Sequence, residues 1–437
     1  MKILHLSSAT TGGAGTAACR LHTALLEKGV ESKMIVQSNV FNIKRVENLK
    51  LPPKEKPKLN YREKVERKIH RIGVEFKLLA PKPKPEAEYA KLLESRLAFL
   101  NRRDKRLGLF SYPDGNSRLP EIVEIQSADI VHLHWVSGLI DWSTFFLKCS
   151  KPIVFTLHDA YLFSGGYHVL ERYGDPNLKG IPQELSFSLE EKNENIKISE
   201  IKREGLKSLS MMEIVAPSKW MFNKSKDSDF TTRFRHTIIP NVCSTNIYKL
   251  ANKRLAKDVF SVVEFSHVFL FVADSAKSYH KGLPYLIAAA KTLNSTACIL
   301  IVGIDEIEIE TAAEVRCLGK IYDERYLALV YAAADFLILP SLADNLPNTM
   351  LEALCCGLPV IGFPVGGIPE VVGEQFGNGI ICDEISVSGL ADAIAKGTSM
   401  KGSFDSDYIA HNAAKLFNPE TIAEQHISLY KSILESR

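Results

Sequence analysis

Long apolar runs are missing from this chain of 437 residues, and none approaches the ~18 residues that a membrane-spanning helix needs. Paired cysteines are missing as well. The eight cysteines are scattered, only Cys355 and Cys356 are adjacent, and no C-x-x-C occurs, so neither a disulfide framework nor a cysteine zinc site is encoded. A large charge of one sign is also absent: the net charge is +3, which gives no general signal for nucleic acid. The chain opens on an apolar strand, Ile3 to Leu6, rather than a leader-like run, and a cytoplasmic location is expected. What is present, 46% apolar and 24% charged residues, is the make-up of a globular protein long enough for two or three domains.

The most informative stretch is Asp335 to Val372, DFLILPSLADNLPNTMLEALCCGLPVIGFPVGGIPEVV. Phe336 to Leu339 has strand length and composition. Pro340, Ser341, Asp344, Asn345 and Pro347 supply turn chemistry, and Asn348 is placed to cap a helix running through Glu352 to Cys356. Gly357 and Pro359 stop that helix, Val360 to Phe363 reads as the next buried strand, and Gly366-Gly367 opens a second loop before Pro369-Glu370-Val371. Two successive βα units put their loops at one edge of a parallel sheet, where open α/β sheets bind ligands. Carboxylates there, Asp344 and Glu352, suit sugar hydroxyls, and a helix start suits a phosphate. Taken singly, Asp344 reads as a helix cap and Glu352 as a surface carboxylate; the whole run points instead to a site.

In the N-terminal half, Lys2 to Ser7 predicts a strand, Ser8 to Gly15 a small-residue loop, and Thr16 to Lys28 a helix. Gly13-Ala14-Gly15-Thr16-Ala17-Ala18 fits G-x-G-x-x-A, which raises a nicotinamide or flavin enzyme as a rival. Against it, the glycines come late and the second strand ends in Gln37-Ser38 with no acid for a ribose. Residues Glu47 to Arg106 change character, with Lys, Arg and Pro recurring; within them Tyr61 to Leu79 has the spacing of a basic amphipathic helix. Such a helix either packs on its domain with its basic face in solvent or lies on an anionic membrane surface. Ala128 to Trp135 and Pro152 to Leu157 predict buried strands whose ends carry His132, His134 and His158-Asp159; His132 and His134 read as core polar groups satisfied by backbone. Tyr173 to Glu204 reads as a loop followed by an exposed helix.

Pro340, Ser341, Asp344, Glu352, Ala353, Gly357, Pro359, Gly366, Gly367 and Glu370 stand where a known family has P-S-x-x-E, seven residues, E-A, a Gly-x-Pro strand and a Gly-Gly loop. The chain resembles the retaining, nucleotide-sugar glycosyltransferases of family 4, of GT-B architecture. The first acid is Asp344 rather than Glu, a form similar to that in enzymes of bacterial surface-polysaccharide synthesis of the colanic acid or exopolysaccharide type. The resemblance implies two doubly wound Rossmann-like α/β domains facing across a cleft: 1–242 on the acceptor side, with a basic insertion near 47–106, and 253–416 on the nucleotide-sugar side. Residues 417–437 would form a helix returning to the first domain.

The same resemblance implies the site. Asp344, with the backbone of Asn345, Leu346 and Pro347 and the helix start at Asn348 and Thr349, would hold the donor sugar; Glu352 would hold the ribose hydroxyls. Lys281 would face the diphosphate together with Gly13 and Ala14, and Lys277 would stand in for an arginine that the family usually carries. His158 would sit near the donor sugar, and the loop of Gly319 and Ile321 would grip the nucleobase by its backbone. No cofactor and no metal are implied, because lysines take the metal's place beside the leaving diphosphate. The implied partners are a nucleotide-diphosphate sugar and a glycan or lipid-linked oligosaccharide acceptor, with peripheral contact at the inner face of the cytoplasmic membrane and no nucleic acid. Three rivals remain: a nucleotide-sugar epimerase, a redox enzyme and a catalytically silent sugar-binding protein.

Overall fold

The computed structural model describes residues 1–38, 43–51, 85–171, 173, 178, 185–274 and 278–436. The basic stretch Tyr61 to Leu79 and the candidate residue Lys277 lie outside the described residues. Two units are distinguished: Leu51–Asp104, in which a helix spans Pro85–Arg102, and the remainder of the chain, which holds both sheets.

Short runs rich in Ile, Val, Leu and Phe form the strands of both sheets, and every described pairing between strands of the sheets is parallel. The first sheet comprises β1 (Lys2–Ala9), β2 (Glu31–Ser38), β3 (Val46–Asn48), β4 (Ile130–Leu133), β5 (Ile153–Thr156), β6 (Glu213–Ala216) and β7 (Arg235–Ile238), in the order β3-β2-β1-β4-β5-β6-β7. The second comprises β8 (His267–Val272), β9 (Ala297–Val302), β10 (Glu314–Cys317), β11 (Phe336–Leu339), β12 (Val360–Gly362) and β13 (Gly379–Ile381), in the order β10-β9-β8-β11-β12-β13. Each sheet therefore reverses its direction of growth once, between β1 and β4 and between β8 and β11. At those points neighbouring connections run to opposite faces, which leaves a crevice beyond the carboxyl ends of the strands. Strands β9 and β11 are buried at every residue, as expected where helices cover both faces of a parallel sheet.

Helix α1 (Gly12–Glu27) begins four residues earlier than its sequence suggested. Gly12 and Gly13 form its first turn instead of a loop, because Gly12 takes φ of +74° and lets the chain turn straight from β1 into the helix. Helix α2 (Leu189–Lys207) also differs from expectation. It is not an exposed helix: Lys202 is fully buried, its ammonium donating to the carbonyls of Tyr161 and Gly165 and lying 3.2 Å from the centre of the Tyr161 ring. Burial pushes the Lys202 pKa well below its usual value.

Helices α3 (Glu324–Ala333) and α4 (Asn348–Cys355) follow the loops that leave β10 and β11. Asp323 caps α3 through the backbone N–H of Arg325. The first residue of α4 is Asn348, whose side chain does not cap the helix. The last helix, α5 (Pro419–Glu435), is capped by Asn418 and buries Ile422, Ala423, Tyr430 and Ile433 against Ile3, Leu21, Ile130 and Val154 of the first sheet and α1. Full burial of an Ile or Leu side chain is worth roughly 1.5–3 kcal/mol, so several such contacts fix α5 to that domain. No described helix is long and apolar enough to cross a membrane.

Candidate active site

The carboxyl ends of the two sheets enclose a cleft of about 1490 Å³. The loop after β11 forms one wall, and two glycines shape it. At Gly366 φ is +60°, and a Cβ would lie 1.5 Å from the Asp344 carbonyl oxygen; at Gly282 φ is +75°, and a Cβ would lie 1.7 Å from the Pro340 carbonyl oxygen. Only a residue without a side chain lets these backbones approach. The Gly367 N–H then donates to the Asn345 carbonyl at 2.7 Å, which seats the Asp344-Asn345 turn.

On this wall Lys281 Nζ donates to Asp344 Oδ2 at 2.6 Å, and Ser341 Oγ donates to the same oxygen at 3.3 Å. The pair is part-buried, and both members line the cleft. Glu352 lies deeper. Arg20 of α1 donates to its Oε1 at 2.7 Å, Tyr331 donates to its Oε2 at 2.8 Å, and Arg20 Nε donates to Glu324 at 3.1 Å. Burial opposes the charge on Arg20, yet Glu352 and then Glu324 push its pKa well above the usual value. One guanidinium nitrogen, Nη1, is buried with no partner among the described residues.

The opposite wall belongs to the first domain. Gly13 and Ala14 open α1, while His158 and Asp159 follow β5. Three asparagines tie the walls together. Asn345 donates to the Leu157 carbonyl at 2.7 Å and accepts from Ser218 at 2.6 Å; Asn348 donates to the Gly13 carbonyl at 2.9 Å; Asn241 donates to the Leu346 carbonyl at 3.1 Å. Asp159 is held by His168 at 2.5 Å and by the Trp135 indole at 3.0 Å, and His168 also bonds Ser111 at 2.9 Å. Burial would raise the Asp159 pKa, but His168, the Tyr161 N–H and His158 together more than offset it, and the carboxyl stays below its usual range.

Residues 266–398, which span β8 to β13, match the family model described as Glycosyl transferases group 1. Over 140 residues, 31% of its length, the chain is 28% identical to N-acetyl-alpha-D-glucosaminyl L-malate synthase of Bacillus anthracis and covers 35% of that protein. The chain spans about a third of the length of the curated relatives it matches. Among solved structures, sucrose-phosphate synthase from Thermosynechococcus elongatus aligns with a TM-score of 0.63 at 17% identity, covering 100% of both chains. Anabaena HepE in complex with UDP-glucose aligns with a TM-score of 0.59 at 16% identity, again over 100% of both. The fold is GT-B.

The GT-B cleft brings together most of the residues singled out from the sequence, though several are engaged differently. Asp344, Glu352, Lys281, His158, Gly13, Ala14, Ile321, Asn345, Leu346, Pro347, Asn348 and Thr349 all line it. Gly319 does not. Its N–H donates to the Ile304 carbonyl at 3.1 Å and its carbonyl accepts from Gly303 at 2.8 Å, so its backbone is already used. Glu352 is buried rather than a surface carboxylate, with Arg20 and Tyr331 bonded to its two oxygens. His132 and His134 are buried core groups, but side chains satisfy them rather than backbone. Arg20, Tyr331 and Glu324 were given no role from the sequence, and Asp159 was placed at the end of its strand without one. The visible sign was Arg20 itself, a charge set on the apolar face of α1 beside Ala17, Leu21 and Ala24.

Proposed function

We propose that this chain is a nucleotide-sugar-dependent glycosyltransferase. It moves a sugar from a nucleoside diphosphate to a hydroxyl of a glycan or lipid-linked acceptor, with retention at the anomeric carbon, in surface-polysaccharide synthesis. The observation that carries this function is the Lys281–Asp344 pair, 2.6 Å apart in a cleft whose other wall presents Gly13 and His158. A nucleotide sugar needs a cation for its diphosphate and acceptors for its hydroxyls, and the pair supplies one of each. The match to group 1 glycosyl transferases and the binding of UDP-glucose by Anabaena HepE support the same donor class.

On donor binding, Lys281 swings from Asp344 to the diphosphate, and Asp344 takes a sugar hydroxyl with the backbone of Asn345 to Pro347. Glu352 takes the ribose hydroxyls, exchanging part of its bond to Arg20, and Ile321 packs beside the base. Neutral His158 meets the sugar ring; burial lowers its pKa to about 4, so it stays uncharged near neutrality. The bond between the anomeric carbon and the phosphate oxygen breaks. The acceptor oxygen bonds to that carbon on the same face, and its proton passes to the departing phosphate oxygen. No protein nucleophile is required, and Lys281 carries the charge neutralisation that a metal would otherwise supply. The basic stretch Tyr61 to Leu79, outside the described residues, either packs on its domain with its basic face in solvent or brings the enzyme to an anionic membrane bearing the acceptor.

The test is incubation of the full chain with UDP-, GDP- and ADP-sugars, with and without polysaccharide-repeat acceptors and with EDTA present. The expected result is acceptor-dependent release of nucleoside diphosphate, unaffected by EDTA, with the anomeric configuration of the donor kept in the product. An isomerised sugar formed without acceptor would instead make the chain an epimerase. Failure to turn over any of the three donor classes would defeat the proposal.

A further inference from the structure

Behind His158 lies a file of buried imidazoles. His5 on β1 and His132 on β4 are direct register partners, His134 follows β4, and His158 follows β5. His5 Nδ1 is 2.9 Å from His134 Nε2, and His134 Nδ1 is 3.1 Å from His158 Nε2. The file thus runs from the centre of the sheet to the cleft. We infer that His5, His134 and His158 form one polarised hydrogen-bond chain that fixes His158 as its Nδ1–H tautomer, so that it meets the donor sugar as a hydrogen-bond donor. The sugar's role rests on the function proposed above; the tautomer does not.

Burial lowers the pKa of all three imidazoles, so each carries a single ring proton near neutral pH. Two polarities are then open to the chain. In one, every proton points away from the cleft, and His5 is left with an N–H at Nε2. In the other, every proton points towards the cleft, and His5 Nε2 is a bare lone pair. That nitrogen is buried and has no partner among the described residues. A buried donor without an acceptor is rarer and costlier than an unused acceptor, which selects the second polarity. His134 then donates from Nδ1, His158 accepts at Nε2, and its one proton sits on Nδ1.

His426 in the same layer sets a precedent. Its Nδ1 lies 3.0 Å from the Ile422 carbonyl and must donate, so its Nε2, also buried and unpartnered among the described residues, is a lone pair. A metal is a poorer occupant of this layer. His5, His132 and His134 each bring a nitrogen within 4.8 Å of the others, but the rings of His132 and His134 stack at 4.2 Å rather than converge. Both nitrogens of His132 are also taken, by Tyr430 and Thr156 at 2.7 Å each. His134 and His5 are therefore positioning residues for His158.

Nitrogen-15 labelling of the histidines in the full chain, read by two-bond proton–nitrogen correlations, reports each tautomer directly; the His158 signals are assigned by their loss in His158→Gln. The expected spectrum has His158 protonated at Nδ1 in the wild type. In His134→Phe it should shift towards the Nε2–H form that free histidine prefers, with turnover down about tenfold, the loss of one hydrogen bond, and donor KM little changed. An Nε2–H His158 in the wild type overturns the inference whether or not any variant folds, as does a tautomer unmoved in folded His134→Phe. A wild type that shows Nδ1–H but turns over no nucleotide sugar would defeat the proposed function and leave the tautomer standing.

Discussion

Lys281 and Glu352 both face the cleft, but they differ in what their removal does to the fold. The Lys281–Asp344 pair is partly exposed, and such pairs contribute only ~0–1 kcal/mol to stability. Lys281→Ala should therefore cut turnover by roughly two to three orders of magnitude, the range for losing a charge-stabilising donor, with little change in melting temperature. Unchanged turnover would remove Lys281 from the site. Glu352→Ala, by contrast, leaves the almost entirely buried guanidinium of Arg20 with Glu324 as its remaining carboxylate partner, and should destabilise the fold by up to about 3–5 kcal/mol, the cost of breaking a buried pair outright. The cleaner probe is Glu352→Gln, which keeps an oxygen for Arg20 or Tyr331. It should stay folded and lose at least about tenfold in turnover, as expected for one charge-assisted bond. Asp344, Glu352 and Lys281 were legible through the family resemblance: the two acids stand with seven residues between them as in its motif, and Lys281 matches its lysine. Arg20 was not, because its partners lie 304 and 332 residues away and nothing local announces them.

Turn chemistry, an apolar run and a helix stop coincide in Asp335 to Val372, which is why β11, α4 and β12 were readable there to within a residue. Where the sequence misled, a long-range partner had taken over. Asn348 looks like a cap for α4 but reaches across to Gly13, and the polar surface of α2 conceals Lys202, whose partners lie about 40 residues earlier. Gly366→Ala should be destabilising by roughly 1–3 kcal/mol in denaturant titration, because its φ of +60° is strained for alanine and its Cβ would overlap the Asp344 carbonyl. It should also lower turnover, since that carbonyl belongs to the turn that seats Asp344. A variant with wild-type stability and activity would show that the loop has another low-energy path.

For the whole molecule, the imidazole layer between the first sheet and α5 predicts acid sensitivity. His158 and His426 are held at about 4, and His5, His132 and His134 are also lowered, by burial in each case. The unfolded chain takes up these protons near pH 6.5, so between that pH and about 4 it binds more protons than the folded chain. Stability should be complete above pH 6.5 and fall as the pH drops towards 4, by about 1.4 kcal/mol per pH unit for each such imidazole. A flat profile of unfolding free energy from pH 7 to 5 would contradict the neutral layer.

The central claim, that the GT-B cleft holds a nucleotide sugar through Lys281, is tested most directly by thermal melting of the full chain titrated with UDP, GDP, ADP and their sugars. A ligand that binds only the folded state raises the melting temperature by mass action. One nucleotide family is predicted to raise it progressively with concentration, and Lys281→Ala is predicted to abolish most of that rise. No rise with any of the three at millimolar concentration, or an undiminished rise in Lys281→Ala, would contradict the account.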